Sequence, residues 1–160
     1  MSNEIEGSRQ AAALRGVPDA LRGMLSGRAD LADKFQNFQN AYHEEGLLDA
    51  HLLELCRARI DVLHGIESET TLDPALAELI ARGSFASLAA HEQLALTVAE
   101  TLAIDAHGVT DEQVSQLNAM LGEAATVTLL TAVSMHDARI RLQQVLTPLI
   151  GSPQTKAGKA

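Results

Sequence analysis

Apolar residues recur along most of the chain at the spacing of an α-helix. In the first clear case Leu31, Phe35, Phe38 and Tyr42 follow one another at steps of 4, 3 and 4 residues. These steps place the four side chains on one face of a helix. The pattern predicts an amphipathic helix that ends near Gly46.

A second helix is predicted over residues 49–65. Its apolar face consists of Leu52, Leu55, Val62 and Leu63. Arg59 falls within this face, and burying an unpaired charge is expensive. We therefore expect Arg59 to have a partner in the folded chain.

Capping residues mark the remaining helices. Asp73 and Pro74 predict the start of a third helix and Gly83 its end. Thr110 and Gln113 form a capping box that predicts the start of a fifth. The other expected boundaries are a fourth helix from Ser87 to about Ile104, a turn at residues 106–108, an end at Gly122, and a last helix from about Ala124 to Leu146 with Pro148 beyond it. The first half of that last helix is apolar nearly all round, which predicts a position at the centre of a bundle.

No stretch shows the alternation of apolar and polar residues that is typical of strands. The expected fold is all-α, a bundle of about six helices in a single domain over residues 17–150. Residues 1–16 are expected to be a flexible arm and residues 151–160 a flexible tail.

Composition and charge indicate which residues form the core and which partners are not expected. Aromatic residues make up only 2% of the chain and hydrophobic residues 46%, so the core must consist mainly of Leu, Ala, Val and Ile. The net charge is −9, and no basic cluster stands out. Nucleic acid and anionic membrane surfaces are therefore not expected as partners.

Cys56 is the only cysteine, so no disulfide can form within the chain. This favours a cytoplasmic location. No secretory signal and no run of about 18 apolar residues is recognisable, so a membrane span is not expected. Cys56 lies among leucines and is interpreted as core packing, because apolar surroundings make a thiol inert.

Several motifs resemble the AhpD-like / carboxymuconolactone decarboxylase family when they are taken in order. Glu54-Leu55 followed by Arg59 is similar to that family's E-L-x-x-x-R helix, and Gly65 matches a glycine that follows it. Residues 87–96 resemble its s-x-x-E-x-A-A-L segment, with Glu92 at the glutamate. Residues 110–112 and the pair Asp137 and Arg141 resemble the later helix elements, so the likeness spans about residues 30–147.

The chain departs from that family at its redox centre. Ile66 and Glu69 stand at the two cysteine positions of the family's CxxC element, and Asp73 stands at the histidine position. Residues 67–70 resemble a degenerate form of the E-Y-E-W element found in members without the cysteines. The resemblance implies decarboxylase-like or hydrolase-like work on a small organic acid or lactone, without a cofactor, by a homo-oligomer such as a trimer or hexamer.

Four carboxylates are candidates for acid–base roles around the pocket that the resemblance implies. They are Glu54, Glu67, Glu69 and Asp61. Paired carboxylates can divide acid and base roles when burial separates their pKa values. Glu54 matches a functional position of the family, whereas for Asp61 a solvated acidic face is the favoured interpretation.

Two histidines are candidate proton carriers. His64 is either a general base or a polar residue that suits a helix C-terminus. His136 is a second candidate, with a hydrogen-bonded structural role favoured. His51 with Glu54 and His64 with Glu67 stand three residues apart, but such pairs are common on helices and no metal is expected.

Arg59, Asp137 and Arg141 are candidate substrate ligands. Asp137 and Arg141 have the favourable i, i+4 order for a helix ion pair, so a structural pair is the first interpretation. Two alternatives to an acid–base enzyme stay open. One is an inactive binding or assembly module of the same fold, and the weaker one is a one-cysteine peroxidase that uses Cys56.

Overall fold

The computed structural model describes residue 23, residues 25–42 and residues 47–150. These residues form six α-helices and two short 3-10 turns, and no strand occurs among them. The helices are α1 (Ala29–Ala41), α2 (Ala50–Leu63), α3 (Pro74–Arg82), α4 (Ala90–Ile104), α5 (Asp111–Leu121) and α6 (Glu123–Ile150). The prediction of an all-α bundle of about six helices is confirmed. The expected arm at residues 1–16 and tail at residues 151–160 lie outside the described residues.

Both ends of α3 and the start of α5 form where the capping residues predict them. The Asp73 side chain accepts from the backbone of Ala75 at the start of α3, with Pro74 in the first position. Gly83 ends α3 in the left-handed region at φ 70°, a conformation that costs little without a side chain. Thr110 and Gln113 form the predicted capping box of α5.

Two predicted boundaries are wrong. Ser87 lies in a turn, and α4 begins at Ala90, where Glu92 accepts a hydrogen bond from the Ala89 backbone. The last helix passes the predicted end at Leu146 and includes Pro148. Pro148 stands in the last turn of α6, where the missing N–H removes a single helical hydrogen bond.

The core centres on α2, which packs against α3, α4 and α6. Leu55, Cys56 and Ile60 of α2 are completely buried. The prediction that the last helix lies at the centre is wrong, because α6 leaves 59% of Val127 and 65% of Val145 exposed. The apolar residues around α6 therefore include positions that the described chain leaves open to solvent.

The apolar face predicted for α1 is also not the buried one. Leu31 is 41% and Phe38 46% exposed, whereas Ala32 and Gln39 are buried. Tyr42, just after the helix, is buried in a small cluster with other side chains. The helix is thus rotated so that its largest apolar side chains remain partly in solvent.

No helix in the described part of the chain is both long enough and apolar enough to cross a membrane.

Candidate functional site: two histidine–aspartate pairs

Helices α2 and α6 are joined by two histidine–aspartate pairs. His64 Nε2 lies 2.6 Å from Asp137 Oδ1, and His136 Nε2 lies 2.7 Å from Asp61 Oδ1. We call these the His64 pair and the His136 pair. Asp61 and His64 are one turn apart at the end of α2, and their partners are adjacent residues of α6, so each helix contributes one acid and one imidazole.

The His64 pair is supported from the carboxylate side. Arg141 Nε donates to Asp137 Oδ2 (2.7 Å), and Arg141 Nη2 donates to the backbone oxygen of Ala103 on α4 (2.6 Å). An ionised carboxylate can only accept, so Nε2–H of His64 donates to Asp137, and a neutral ring in this arrangement has its lone pair on Nδ1. No described residue hydrogen-bonds to this Nδ1, which leaves the lone pair of His64 open.

The His136 pair is held on both sides of the imidazole. Nε2 donates to Asp61, and Nδ1 lies 3.3 Å from Arg139 Nη2, which can only donate. The hydroxyl of Ser68 donates to the other oxygen of Asp61 (2.9 Å). Both ring nitrogens of His136 are therefore engaged, and the ring is the neutral Nε2–H tautomer.

Burial keeps His136 neutral. The residue is only 7% exposed, and desolvation lowers the pKa of its imidazole. The hydrogen bond and the charge of Asp61 oppose this shift, while the charges of Arg139 and Arg57 add to it. The favoured interpretation of His136 as a hydrogen-bonded structural residue agrees with this geometry.

The candidate glutamates do not join the His64 pair. Glu54 Oε1 accepts from Thr70 Oγ1 and from the Thr71 backbone, both at 2.9 Å, and so fixes the extended segment before α3. Glu67 and Glu69 are exposed on that same segment. Glu54 therefore stabilises the loop that contains Thr70 and Thr71. No hydrogen bond or ion pair between described residues links Glu54 to His64.

Arg59 has the partner that its position requires. Its guanidinium makes a two-point ion pair with Glu100 (3.0 and 3.2 Å) and donates to the backbone oxygens of Ile80 and Ala81. It also lies against the ring of Phe85, and a Cβ on Gly83 would approach it to 3.1 Å. All three guanidinium nitrogens are engaged, so Arg59 stabilises the end of α3 rather than offering donors to a substrate.

His51 and Glu54, three residues apart on α2, face different partners. His51 faces Glu92 at 3.7 Å, while Glu54 faces the loop. Within the described ranges, no three or more His, Cys, Asp or Glu side chains are grouped so as to hold a metal ion.

The single cysteine is enclosed. Cys56 is 0% exposed, and burial raises the pKa of its thiol to about 12. A thiol with such a pKa is almost entirely protonated at neutral pH, and the thiolate is the reactive form. This agrees with the interpretation of Cys56 as core packing.

A shallow groove of about 430 Å³ lies along α4 and is lined by Thr97, Glu100, Thr101, Ile104 and Asp105. None of these residues belongs to either histidine–aspartate pair.

Ser68 and Arg139 were not among the predicted site residues, and the prediction for Asp61 is wrong. Asp61 was assigned to a solvated acidic face, but its side chain is only 14% exposed and carries the His136 pair. The signal available in the sequence was its position one helical turn before His64. Nothing local could reveal which α6 residues the two side chains would meet.

No protein-family model, no curated protein and no solved structure matches this chain at the significance that would support a relationship.

Proposed function

We propose that this chain is an acid–base enzyme for a small organic acid or lactone, with His64 as the general base. The observation that carries the proposal is the His64 pair: one ring nitrogen is held by Asp137 at 2.6 Å, and the lone pair of the other has no partner among the described residues. A general base needs an oriented ring and an open lone pair, and this arrangement offers both.

Asp137 is proposed to position the ring. By accepting a hydrogen bond from Nε2–H, it holds the ring in the tautomer in which Nδ1 can take a proton from water or from a carbon next to a carbonyl group. The same proton can return to the product, so the step balances without a cofactor. The His64 side chain is 13% exposed, which leaves it within reach of a small molecule.

Arg141 is proposed to bind the carboxylate of the substrate. Its side chain is 55% exposed, and its bonds to Asp137 and Ala103 use Nε and Nη2 but not Nη1. A guanidinium beside the general base would attract an anionic substrate and orient it.

The motifs quoted above support membership of the AhpD-like / carboxymuconolactone decarboxylase family, in the branch without the redox cysteines. We include in the proposal the consequences of that resemblance: a homo-oligomer, such as a trimer or hexamer, in the cytoplasm. A monomeric mass by light scattering would contradict the oligomer.

A panel of γ-lactones, 2-oxo acids and β-keto acids tests the activity. Hydrolysis, decarboxylation and exchange of the α-hydrogen in D₂O are followed by proton NMR. We expect one of these reactions to be catalysed and to fall by about 100-fold or more in His64→Gln, which is typical of the loss of a general base. His107→Gln is the control, because that side chain is 97% exposed and lies outside both pairs.

An assembly or binding module is the second candidate function. It is supported by Leu31 and Phe38, which stay 41% and 46% exposed although they lie on one apolar face of α1. An oligomer that loses mass in Phe38→Ser, together with no turnover of the whole panel, would favour the module over the enzyme.

The one-cysteine peroxidase is the weakest candidate. Burial and the raised pKa of Cys56 both disfavour the thiolate that would attack a peroxide. Reduction of a hydroperoxide that is present in the native chain and lost in Cys56→Ser would restore this candidate.

A further inference from the structure

The groove along α4 is lined, in the described part of the chain, by the C-terminal half of that one helix. The lining consists of Thr97, Glu100, Thr101, Ile104 and Asp105, around a volume of about 430 Å³. The first four residues belong to α4, and Asp105 caps its C-terminus. Together they cover two helical turns, about 12 Å along the axis. We call this surface the α4 groove.

The described side chains of the α4 groove offer hydrogen-bond acceptors and no free donors. Thr97 Oγ1 donates to the backbone oxygen of Gln93, and Thr101 Oγ1 donates to that of Thr97, both at 2.8 Å. Both hydroxyl hydrogens are thereby used within the helix, and lone pairs remain. The ionised carboxylates of Glu100 and Asp105 can only accept. An occupant that fits these side chains therefore has to supply the donors.

The charge of the α4 groove is negative. Arg59 pairs with Glu100 at 3.0 Å and offsets its charge, although 30% of the Glu100 side chain stays exposed. The Asp105 side chain is 67% exposed and lies 3.3 Å from His107, which is itself 97% exposed. Exposed pairs contribute little, so a cation can compete for the Asp105 carboxylate. Since no residue of the described lining is basic and the chain has a net charge of −9, the α4 groove attracts cations and repels anions.

An exposed apolar side chain lies between the two carboxylates in the sequence. Ile104 is 68% exposed, the highest value for a large apolar side chain in the described ranges. Covering such a side chain removes apolar surface from water, which is favourable. The α4 groove thus suits an occupant that has an apolar group as well as cationic donors.

The shape of the α4 groove favours a helix over a small molecule. Sites for small molecules are concave and bury most of the ligand surface. The α4 groove is shallow, and its described lining is a single helix face over two turns. Side chains of a second helix pack between ridges of this kind, and an amphipathic helix can present apolar and basic residues on the same face.

We propose that the α4 groove docks an amphipathic helix of a partner protein, with lysine or arginine side chains at Glu100 and Asp105 and an apolar side chain at Ile104. Charge complementarity favours a basic partner over a second copy of this chain, because the copy has the same net charge of −9. The inference is independent of the proposed role of His64, which does not line the α4 groove.

Titration of the whole chain with a synthetic helix tests the proposal. The probe is an alanine-rich peptide of about 16 residues, long enough to populate a helix in water, with leucine and lysine along one face. The matched peptide has glutamate at every lysine position. Isothermal titration calorimetry measures the affinity, and backbone nitrogen–proton NMR spectra locate the contact. We expect saturable binding of the lysine peptide that weakens with added salt, shifts centred on residues 97–105, and no binding of the glutamate peptide.

Two pairs of substitutions test the contact at exposed positions. Thr97→Lys places a like charge in the α4 groove, and its control is Ser134→Lys, at an exposed hydroxyl residue of α6 that also donates to the carbonyl four positions before it. Ile104→Ser removes the apolar contact, and its control is Val145→Ser, at a valine that is 65% exposed. Each groove variant should weaken binding of the lysine peptide about tenfold or more, and each control less than about twofold.

Several results would overturn the proposal. One is no binding of the lysine peptide, and another is an equal loss of affinity in the control variants. Shifts spread over the whole acidic surface would indicate a general charge effect. Binding of n-butylammonium as tightly as the peptide would indicate a small-molecule site. A dimer in light scattering that dissociates in Ile104→Ser would show that a second copy of the chain occupies the α4 groove instead.

Discussion

The His64 pair and the His136 pair use the same two helices and almost the same distance, 2.6 and 2.7 Å, yet they differ in what surrounds them. Each pair is hydrogen-bonded to an arginine, but at a different member of the pair. Arg141 binds the aspartate of the first pair, whereas Arg139 donates to the imidazole of the second. Nδ1 of His136 therefore accepts a hydrogen bond from Arg139, whereas Nδ1 of His64 accepts none from a described residue. A histidine–aspartate contact is consequently no evidence of catalysis until the second ring nitrogen is accounted for.

Substitution of the two aspartates should give the largest difference in unfolding free energy between the two pairs. Asp61→Ala leaves the N–H of a buried imidazole and the hydroxyl of Ser68 without their acceptor, so we expect a loss of about 2–3 kcal/mol. Asp137→Ala should cost less, about 1–2 kcal/mol, because Arg141 is half exposed and the His64 ring that also loses its acceptor is 13% exposed, against 8% for His136. Urea unfolding measures both, with Glu67→Ala, at an exposed loop position, as control. Equal losses of unfolding free energy in Asp61→Ala and Asp137→Ala would contradict the difference between the two pairs.

The pH dependence of stability should come from the His136 pair. Burial lowers the pKa of the His136 imidazole in the folded chain. The unfolded chain therefore binds more protons than the folded chain once the pH falls below about 6.5. The contribution is complete above that pH and is lost as the pH falls through the window below it, at no more than about 1.4 kcal/mol per pH unit.

Unfolding free energies between pH 5 and 7 check this expectation. His136→Gln should flatten the profile relative to the wild type, and His107→Gln should not. A wild-type stability that rises as the pH falls through this window would give the opposite sign and contradict the assignment.

Ser68 should contribute less than the aspartate that it supports. Ser68→Ala removes one hydrogen bond from Asp61 Oδ2, and we expect a loss of about 1 kcal/mol. Ser87→Ala, in an exposed turn, should be close to neutral. A loss for Ser68→Ala as large as that for Asp61→Ala would indicate that the hydroxyl, and not the imidazole, dominates the pair.

Arg141 should have the smallest effect on stability. Its side chain is 55% exposed, and ion pairs of this kind contribute about 0.2–1 kcal/mol. Arg141→Gln should therefore change the unfolding free energy by about 0.5 kcal/mol, while it reduces the affinity for any substrate carboxylate. A large loss of stability with unchanged turnover would make Arg141 a structural residue only.

Local signals in the sequence predicted most of the fold. Asp73, Pro74 and Gly83 specify the ends of α3 through their own backbone preferences, and Thr110 does so for α5 with Gln113. These residues act within a few positions of themselves. The rotation of α1 and the exposed side of α6 depend on neighbouring helices, and there the predictions were wrong.

The candidate site was only partly predictable for the same reason. His64, Asp137 and Arg141 could be chosen from the sequence, but the pairing of His64 with Asp137 spans 73 positions and that of Asp61 with His136 spans 75. It depends on how α2 and α6 are rotated against each other. Arg139 gave no signal, because its function in the fold exists only once His136 is buried beside it.

The most direct test of the difference between the two pairs is the state of the four ring nitrogens. Two-bond nitrogen–proton NMR spectra at pH 7.5 provide it, with His64→Gln and His136→Gln for assignment. We predict the Nε2–H tautomer for both rings. The Nδ1 signal of His136 should carry the shift of a hydrogen-bond acceptor and lose it in Arg139→Ala, whereas the Nδ1 signal of His64 should carry no such shift. An Nδ1–H tautomer for either ring, or a hydrogen-bonded Nδ1 in His64, would contradict the account.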